Sequence, residues 1–225
     1  MSVEQFSAFF MSPVGIGVTV VVCCLVLILI AGIFYRKKQF TVRTLTISAI
    51  CIALSVVLSN VKIFEMPRGG SVTAFSMLFI VLAGYWFGPE AGVLAGVACG
   101  LLNLAINPFV VHPIQLLLDY PLAFGALGIS GFFRNVLRNN TIRKFHIRFD
   151  GLCIGYIVAV IARWFMSFIS GYVFFASYAG NMNPLLYSAV YNISYILPEM
   201  VITLIVLMIP AFRNAIDMAA GKRRA

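Results

Sequence analysis

The residues best suited to chemistry lie in one run, His112-Pro-Ile-Gln-Leu-Leu-Leu-Asp-Tyr-Pro121. Residues 113–133 are apolar and long enough to cross a bilayer, which takes about 20 residues, yet they include Asp119. A carboxylate in hydrocarbon costs on the order of 3 kcal/mol, so it usually faces a cavity, a partner or a substrate. Polar and aromatic residues flank it: His112, Gln115 and Tyr120. The run predicts a pocket for a polar small molecule, with a cation as one candidate; pairing with a neighbouring helix or protonation of Asp119 are the alternatives.

A second polar and aromatic segment precedes and enters the last apolar run. It contains Phe175, Tyr187, Tyr191 and Asn192. Tyr187 and Tyr191 are four residues apart and share a helical face. Tyrosines at a membrane surface are often belt residues, whereas a buried amide such as Asn192 needs hydrogen-bond partners.

Two opposite charges, Arg163 and Glu199, lie near the middle of their apolar runs. Similar depth would allow them to pair across adjacent helices. One interpretation is a proton or ion relay. The other, which we favour, is an ion pair that fixes helix register, because no chain of further titratable residues connects the two to both membrane faces.

The elements that must position these residues are transmembrane helices. The chain is 62% hydrophobic and 10% charged, with a mean hydropathy of +1.02, far from the roughly 25% charged of soluble domains. Unbroken apolar runs predict an all-α polytopic membrane protein rather than a β-barrel. Seven runs are long enough to matter: 14–35, 43–63, 74–88, 91–107, 113–133, 151–177 and 186–210. The third and fourth share the turn Gly88-Pro89-Glu90 and predict a helical hairpin.

The net charge of +9 reflects topology rather than nucleic-acid binding. Most Lys and Arg residues follow the first, fifth and seventh runs: Arg36, Lys37, Lys38 and Arg43; Arg134, Arg138, Arg143, Lys144 and Arg148; Arg213, Lys222, Arg223 and Arg224. Basic residues on alternate loops mark the cytoplasmic face, where they meet anionic lipid headgroups. The N-terminus is therefore expected outside and the C-terminus in the cytoplasm, with the loops near 64–73, 107–112 and 178–185 facing outward.

We divide the chain into an N-terminal uncleaved anchor and basic linker (1–42), a six-helix membrane domain (43–212) and a basic tail (213–225). Arg68, Gly69, Gly70 and Ser71 turn sharply in an outer loop that is either a lid over the pocket or a simple connector. Ala49 and Ala53, four residues apart, allow another helix to approach closely, within the protein or from a partner. The five cysteines have no metal-ligand spacing, and we expect no metal site.

Several motifs resemble the thiamine-specific S component of energy-coupling factor vitamin transporters. They are Gly69-Gly-Ser-Val-Thr73, Gly84-Tyr-Trp-Phe-Gly-Pro89, His112-Pro-Ile-Gln-Leu-Leu-Leu-Asp-Tyr-Pro-Leu-Ala-Phe-Gly-Ala-Leu-Gly128 and Tyr187-Ser followed by Asn192-Ile-Ser-Tyr-Ile-Leu-Pro-Glu199. The resemblance covers residues 43–210. It implies a six-helix substrate-binding subunit that associates with a membrane coupling protein, docked at Ala49 and Ala53, and with two ATPases. The vitamin would enter from outside, under the 64–73 loop.

The resemblance also assigns site residues. Asp119 would face the thiamine cation, where Coulomb attraction is strong in a partly desolvated pocket. Tyr120, Tyr187 and Asn192 match pocket positions, and Phe175 would stack on a ligand ring. Ser167 stands where the family often has a histidine, and the segment Ala98-Cys99-Gly-Leu-Leu-Asn103 departs from an expected tyrosine and glutamine.

The sequence thus predicts an S component, in the plasma membrane of a prokaryote, that binds thiamine at its outer face. It would have no catalytic residues and no cofactor of its own, because the partner subunits use the ATP. Three alternatives stay open. The first is an S component of altered specificity, for a precursor such as hydroxymethylpyrimidine or another heteroaromatic vitamin. The second is a stand-alone proton-coupled carrier relaying through Arg163, Glu199 and Asp119, and the third is a receptor that binds without transport.

Overall fold

The computed structural model describes residues 40–67, 69–136 and 149–220, with a few isolated positions before residue 40. Helices and strands, numbered here from the first described element, are α1 (Val42–Ser59), β1 (Lys62–Glu65), β2 (Ser71–Thr73), α2 (Ser76–Phe87), α3 (Pro89–Ile106), α4 (Pro113–Phe133), α5 (Gly151–Phe174), α6 (Pro184–Met208) and α7 (Pro210–Ala219). The predicted first span, 14–35, and most of its basic linker lie outside the described residues, as do 137–148 and 221–225.

The described part of the chain is an all-helical membrane bundle, as predicted. Five helices, α1, α3, α4, α5 and α6, are long and apolar enough to cross a membrane. Helix α2 is apolar but has 12 residues, a length of about 18 Å. Nine of the 12 residues of α2 are buried, so it forms the centre of the bundle against α1, α3 and the last part of α4. The predicted α2–α3 hairpin is confirmed, and its break is Gly88, whose φ of 104° favours glycine.

A short β-hairpin replaces the end of the predicted second span. Helix α1 stops at Ser59, and Lys62–Glu65 pairs antiparallel with Ser71–Thr73. The Met66 amide donates to the Gly70 carbonyl oxygen across the turn, at 2.7 Å, and Lys62 forms an ion pair with Glu65. The segment expected as a loop at 64–73 therefore contains two paired strands, Lys62–Glu65 and Ser71–Thr73, of a β-hairpin.

Helix α4 is broken where its polar residues lie. Its first turn, Pro113–Leu117, is α-helical, Leu118–Leu122 forms a π turn, and Leu127–Phe133 is a 3₁₀ helix. Pro121 has no N–H to donate to the residue one turn earlier, which accounts for the widened turn. Such π turns are frequent at functional sites.

Helix α4 lies directly on the backbone of α3. A Cβ atom added at Gly96 would lie 2.2 Å from the Phe124 carbonyl oxygen, and one at Gly100 would lie 2.4 Å from the Tyr120 carbonyl oxygen. Only glycine permits this approach, which is how small residues pack helices in membranes. The contact fixes the π turn, and Asp119 with it, against α3.

The predicted basic tail begins as a helix. Residues 213–219 belong to α7, and Arg213 is 0% exposed rather than free in the cytoplasm. Its Nη2 atom donates to Asp150 Oδ2 at 2.6 Å, and its guanidinium lies 5.6 Å from the Tyr85 ring centre. Asp150 also caps α5 by accepting from the Leu152 amide. This ion pair therefore ties α7 to the start of α5, a contact that loop charge counting does not reveal.

Candidate functional site

A cavity of about 560 Å³ lies beneath the hairpin, among α1, α3, α4, α5 and α6. Most of the residues that the sequence singles out line it: Gly69, Gly70, Ser71, Gln115, Asp119, Tyr120, Arg163, Ser167, Phe175, Tyr187, Asn192 and Glu199. A volume of this size suits a small-molecule ligand. The structure thus brings together residues that are up to 130 positions apart in the chain.

Asp119 lies on the π turn of α4, half-buried at the cavity wall. Its Oδ2 atom accepts one hydrogen bond, from Gln115 Nε2 at 2.7 Å. The Ser170 hydroxyl, itself buried, and the Arg163 guanidinium also face this carboxylate. A carboxylate oxygen can accept two hydrogen bonds, so Asp119 retains accepting capacity toward the cavity.

Gln115 and Tyr120 hold the loop that follows α3. Gln115 donates to the Phe109 carbonyl oxygen at 3.0 Å and accepts from the Val111 amide at 3.0 Å. The Tyr120 hydroxyl accepts from the Phe109 amide at 2.7 Å and donates to the Asn107 carbonyl oxygen. Both side chains therefore use their polar atoms within the protein, on backbone groups and, for Gln115, also on Asp119. They shape the cavity edge and orient Asp119 rather than offering free polar atoms to a ligand.

Aromatic rings form two groups at the cavity. Phe109 stacks on Phe175 with ring centres 6.0 Å apart and an interplanar angle of 15°. On one face of α6, Tyr187 stacks on Tyr191 at 5.9 Å, and Tyr191 meets Tyr195 edge-on at 6.0 Å. Ring faces carry negative charge density that attracts cations. The lining thus combines the Asp119 carboxylate with aromatic surfaces, which is the chemistry that binds a cationic heteroaromatic ring.

The amide predicted to need partners has them. Asn192 donates to the Ser167 and Ser188 carbonyl oxygens at 3.2 and 2.9 Å, and its Oδ1 atom accepts from the Tyr195 hydroxyl at 2.7 Å. These bonds join α5 to α6 where Gly171 lets the helices approach; a Cβ atom there would lie 2.3 Å from the Ser188 hydroxyl oxygen. Ser167 is buried at the same place.

The hairpin covers the cavity through its glycines. A Cβ atom at Gly70 would lie 2.6 Å from the Tyr195 ring, and one at Gly69 would lie 3.2 Å from the Phe109 ring. Gly69 has a φ of 89°, a conformation that favours glycine. Of the predicted lid residues, Gly69, Gly70 and Ser71 line the cavity, and Arg68 lies outside the described residues.

The predicted ion pair between Arg163 and Glu199 is not formed among the described residues. Arg163 lies over the Phe124 ring at 4.3 Å. Glu199 instead accepts hydrogen bonds from the backbone and hydroxyl groups of residues 73–77. Equal depth in two helices does not fix the direction of their side chains, and a helix N-terminus competes well for a carboxylate.

Two residues that were expected at the cavity, His112 and Cys99, lie outside its lining. His112 does not line the cavity: it caps α4, its Nδ1 atom accepting from the Ile114 amide at 3.1 Å, and it stacks on Phe174. Cys99 is fully buried toward α1 and contacts Ser55, so the departure at this position does not reach the cavity. Asn103, four residues later, does line it and accepts from the Ser59 hydroxyl.

Sequence reasoning missed Phe109, Phe124 and Tyr195 as lining residues. A signal existed for Tyr195, because Tyr187, Tyr191 and Tyr195 recur every four residues on one helical face. None existed for Phe109, whose position depends on the hydrogen bonds of the loop after α3.

Ala49 and Ala53 lie exposed on α1. Only 17% of the α1 residues are buried within the protein, against 56% for α3. Within the described part of the chain, helix α1 therefore leaves a long apolar face open to lipid or to another helix. Among the described residues, no group of three or more His, Cys, Asp or Glu side chains is placed to hold a metal.

Comparisons with known proteins agree with this architecture. Over 180 residues the chain is 39% identical to thiamine transporter ThiT of Bacillus subtilis, covering 76% of this chain and 91% of that protein. It is 28% identical to thiamine transporter ThiT of Lacticaseibacillus paracasei, covering 76% and 87%. A solved structure of ThiT from Listeria monocytogenes, 24% identical, superposes with a TM-score of 0.64 over 76% of this chain and 94% of that one, and shows the shared fold.

The family model described as thiamine transporter protein (Thia_YuaJ) matches residues 45–217, which include every described transmembrane helix in whole or in large part. This is a family of transporters, not of enzymes. The chain is a multi-pass membrane protein and belongs to the thiamine transporter protein (Thia_YuaJ) family.

Proposed function

We propose that the protein is the substrate-binding S component of a vitamin importer and that its cavity binds thiamine. The observation that carries this proposal is Asp119, a half-buried carboxylate that accepts a single hydrogen bond from the described residues beside aromatic rings. Thiamine joins a cationic thiazolium to a pyrimidine, so it offers a charge for Asp119 and flat faces for the rings. The relatives named as thiamine transporters support the same ligand.

The same arrangement suggests how the ligand is held. Asp119 attracts the cation into a site screened from water, where Coulomb attraction is stronger than in solution. The rings of Phe175 and Tyr191 offer stacking surfaces, and the hairpin covers the bound molecule. The alternation of basic segments supports an outward-facing cavity in the plasma membrane and a cytoplasmic C-terminus.

Transport requires partners in this proposal. The sequence carries no Walker-type phosphate loop, so ATP would be hydrolysed by two separate ATPases acting through a membrane coupling protein. The open face of α1, with Ala49 and Ala53, supports a helix–helix contact with that protein. Residues 1–42 would add an anchor in front of the binding domain.

The proposal is tested by titrating the purified, detergent-solubilised protein with thiamine in a calorimeter, with quenching of Trp86 and Trp164 fluorescence as a second readout. Saturable binding with one site per chain is expected. No heat and no quenching from protein with an intact melting transition would refute thiamine as the ligand.

A second candidate, an S component of altered specificity, is favoured by Ser167. This small side chain lines the cavity where the family resemblance predicts an imidazole. Competition by hydroxymethylpyrimidine and by the thiazole moiety, each against labelled thiamine, separates the two. Tighter binding of either fragment than of thiamine would favour the second candidate.

Dependence on partners is tested by thiamine uptake into cells that express the chain with or without the coupling protein and ATPases. We expect uptake only with the partners, and we expect Ala49→Trp to abolish it while leaving binding intact. Leu54→Trp, also on the open surface of α1 but about 140° around the helix from Ala49, is the matched control. Uptake without partners would instead indicate a stand-alone carrier.

A further inference from the structure

The Glu199 carboxylate reaches from α6 to the segment that joins the hairpin to α2. Its Oε2 atom accepts from the Thr73 amide at 3.3 Å and the Thr73 hydroxyl at 2.6 Å. Its Oε1 atom accepts from the Ser76 hydroxyl and the Met77 amide, both at 3.1 Å. Thr73 is the last residue of β2 and Ser76 the first of α2. One carboxylate thus forms hydrogen bonds with both ends of this connection, which we call the hinge (residues 73–77).

The backbone of the hinge adopts a conformation that requires stabilising contacts. Phe75 has a φ of 62°, the only positive φ at a non-glycine residue in the described part of the chain. For a residue with a bulky side chain this conformation is costly and persists only where the surroundings enforce it. The Met77 amide also belongs to the first turn of α2, whose N–H groups lack partners within the helix. A carboxylate satisfies that group and interacts favourably with the helix N-terminus.

Glu199 is unsuited to contact a ligand directly, although it borders the cavity. It is 4% exposed, and its two oxygens already accept four hydrogen bonds. A ligand would have to displace the hinge to reach it. Its effect on binding must therefore pass through the hairpin.

Helix α6 meets the hairpin at a second point on the same face. Tyr195 lies one turn before Glu199 and packs against Gly70, near the hairpin turn. Tyr195 thus contacts the far end of the hairpin while Glu199 holds its base. The two contacts explain how a hairpin of two short strands, whose β1 residues are exposed, stays in place over the cavity.

We infer that Glu199 is a positioning residue: it holds the hairpin closed over the ligand and slows the ligand's escape. The identity of the ligand in this inference rests on the proposed function, whereas the contact between Glu199 and the hinge does not depend on it. A bound ligand leaves only when the hairpin opens, so weakening the contacts of Glu199 with the hinge should speed dissociation.

The test is Glu199→Gln, which keeps the shape and turns one acceptor oxygen into a donor. Thiamine dissociation is followed by stopped-flow chase with excess unlabelled ligand, and backbone hydrogen exchange is measured over residues 62–78. We expect dissociation about tenfold faster, the scale of a lost charge-assisted contact. Exchange should rise in residues 62–78 and not in α5, with or without thiamine.

Two variants make the test specific. Thr203→Val alters a buried residue one turn further along α6 whose hydroxyl lies beside Tyr156 and makes none of the hinge bonds, so it should leave dissociation unchanged. Thr73→Val removes the hydroxyl partner of Glu199, and its effect should be less than additive with that of Glu199→Gln.

The outcomes separate the claims. Unchanged dissociation and unchanged hinge exchange in Glu199→Gln would overturn the positioning role. Exchange that rises uniformly through the bundle would also overturn it, because Glu199 would then support the fold in general. If the wild-type protein binds no thiamine, the proposed function fails, while hinge exchange in the ligand-free variants still decides whether Glu199 holds the hairpin.

Discussion

The regions around Asp119 and Glu199 each place a carboxylate among transmembrane helices, yet they use it differently. Asp119 lies half-buried on a π turn and accepts one hydrogen bond within the described protein. Glu199 lies almost fully buried and accepts four, all from the hinge. The desolvation of Glu199 is offset by the protein itself, whereas that of Asp119 is offset only in part. The carboxylate with unused accepting capacity is therefore the one suited to a cationic ligand.

A third carboxylate to compare is the buried Asp150, which pairs with Arg213. Breaking this ion pair is expected to have the largest effect on stability. Arg213→Ala removes the guanidinium that pairs with the buried Asp150 carboxylate, and breaking a buried ion pair costs about 3–5 kcal/mol. We expect a marked fall in the melting temperature in detergent and unchanged thiamine affinity in the protein that remains folded. Arg43→Ala, which removes an exposed hydrogen bond to the Ala220 carbonyl oxygen, is the control. A loss of affinity without a loss of stability would contradict the comparison.

Asp119→Asn tests the opposite side of the comparison. Removing the charge should weaken thiamine binding by at least about 1 kcal/mol and up to about 3 kcal/mol, measured by calorimetry, with little change in melting temperature. Glu90→Gln changes the net charge equally at an exposed helix start and should not affect binding. Unchanged affinity in Asp119→Asn would remove this residue from the site.

Tyr120→Phe should have an intermediate effect. It deletes the hydroxyl that bonds the Phe109 amide and the Asn107 carbonyl oxygen, at a cost of about 1 kcal/mol. Because these groups form the cavity edge, both melting temperature and thiamine affinity should fall modestly. Tyr172→Phe, at an exposed tyrosine outside the cavity, is the control. A fall in affinity as large as that of Asp119→Asn would indicate direct ligand contact by the hydroxyl.

The smallest effect is expected at His112. His112→Ala removes a helix cap, worth about 0.5–1 kcal/mol, and should leave thiamine affinity within about twofold. His112→Asn should restore stability, because asparagine is a good N-cap. A large loss of affinity in the alanine variant, measured in the same titration, would return His112 to the binding site.

Much of the fold follows from sequence because membrane insertion leaves a strong signal. The apolar runs predict the described helices within a few residues, and the Gly88-Pro89 break predicts the α2–α3 turn. Asp119 stands out for the same reason, since a charge in hydrocarbon is costly unless it serves a purpose. The tyrosines of α6 follow from helical spacing alone.

Other features depend on contacts between distant residues. The hairpin joins strands too short to leave an alternating pattern, and its place depends on Tyr195 and Phe109. The depth of Arg163 and Glu199 in the membrane does not predict their partners, because the partner depends on the direction of each side chain. Arg163 points to the Phe124 ring and Glu199 to the start of α2, rather than to each other. Arg213 was assigned to the tail because counting loop charges cannot distinguish a buried guanidinium from a solvated one.

The glycine contacts between α3 and α4 divide the protein into a fixed half and a movable one. At Gly96 and Gly100 no side chain separates α3 from the α4 backbone, so the two helices form one rigid wall that carries Asp119. The hairpin and the adjoining end of α6 then absorb the conformational cost of loading and unloading. A covalent crosslink between α3 and α4 should leave ligand binding and release unchanged. A crosslink between the hairpin and α6 should instead prevent a bound ligand from leaving the cavity.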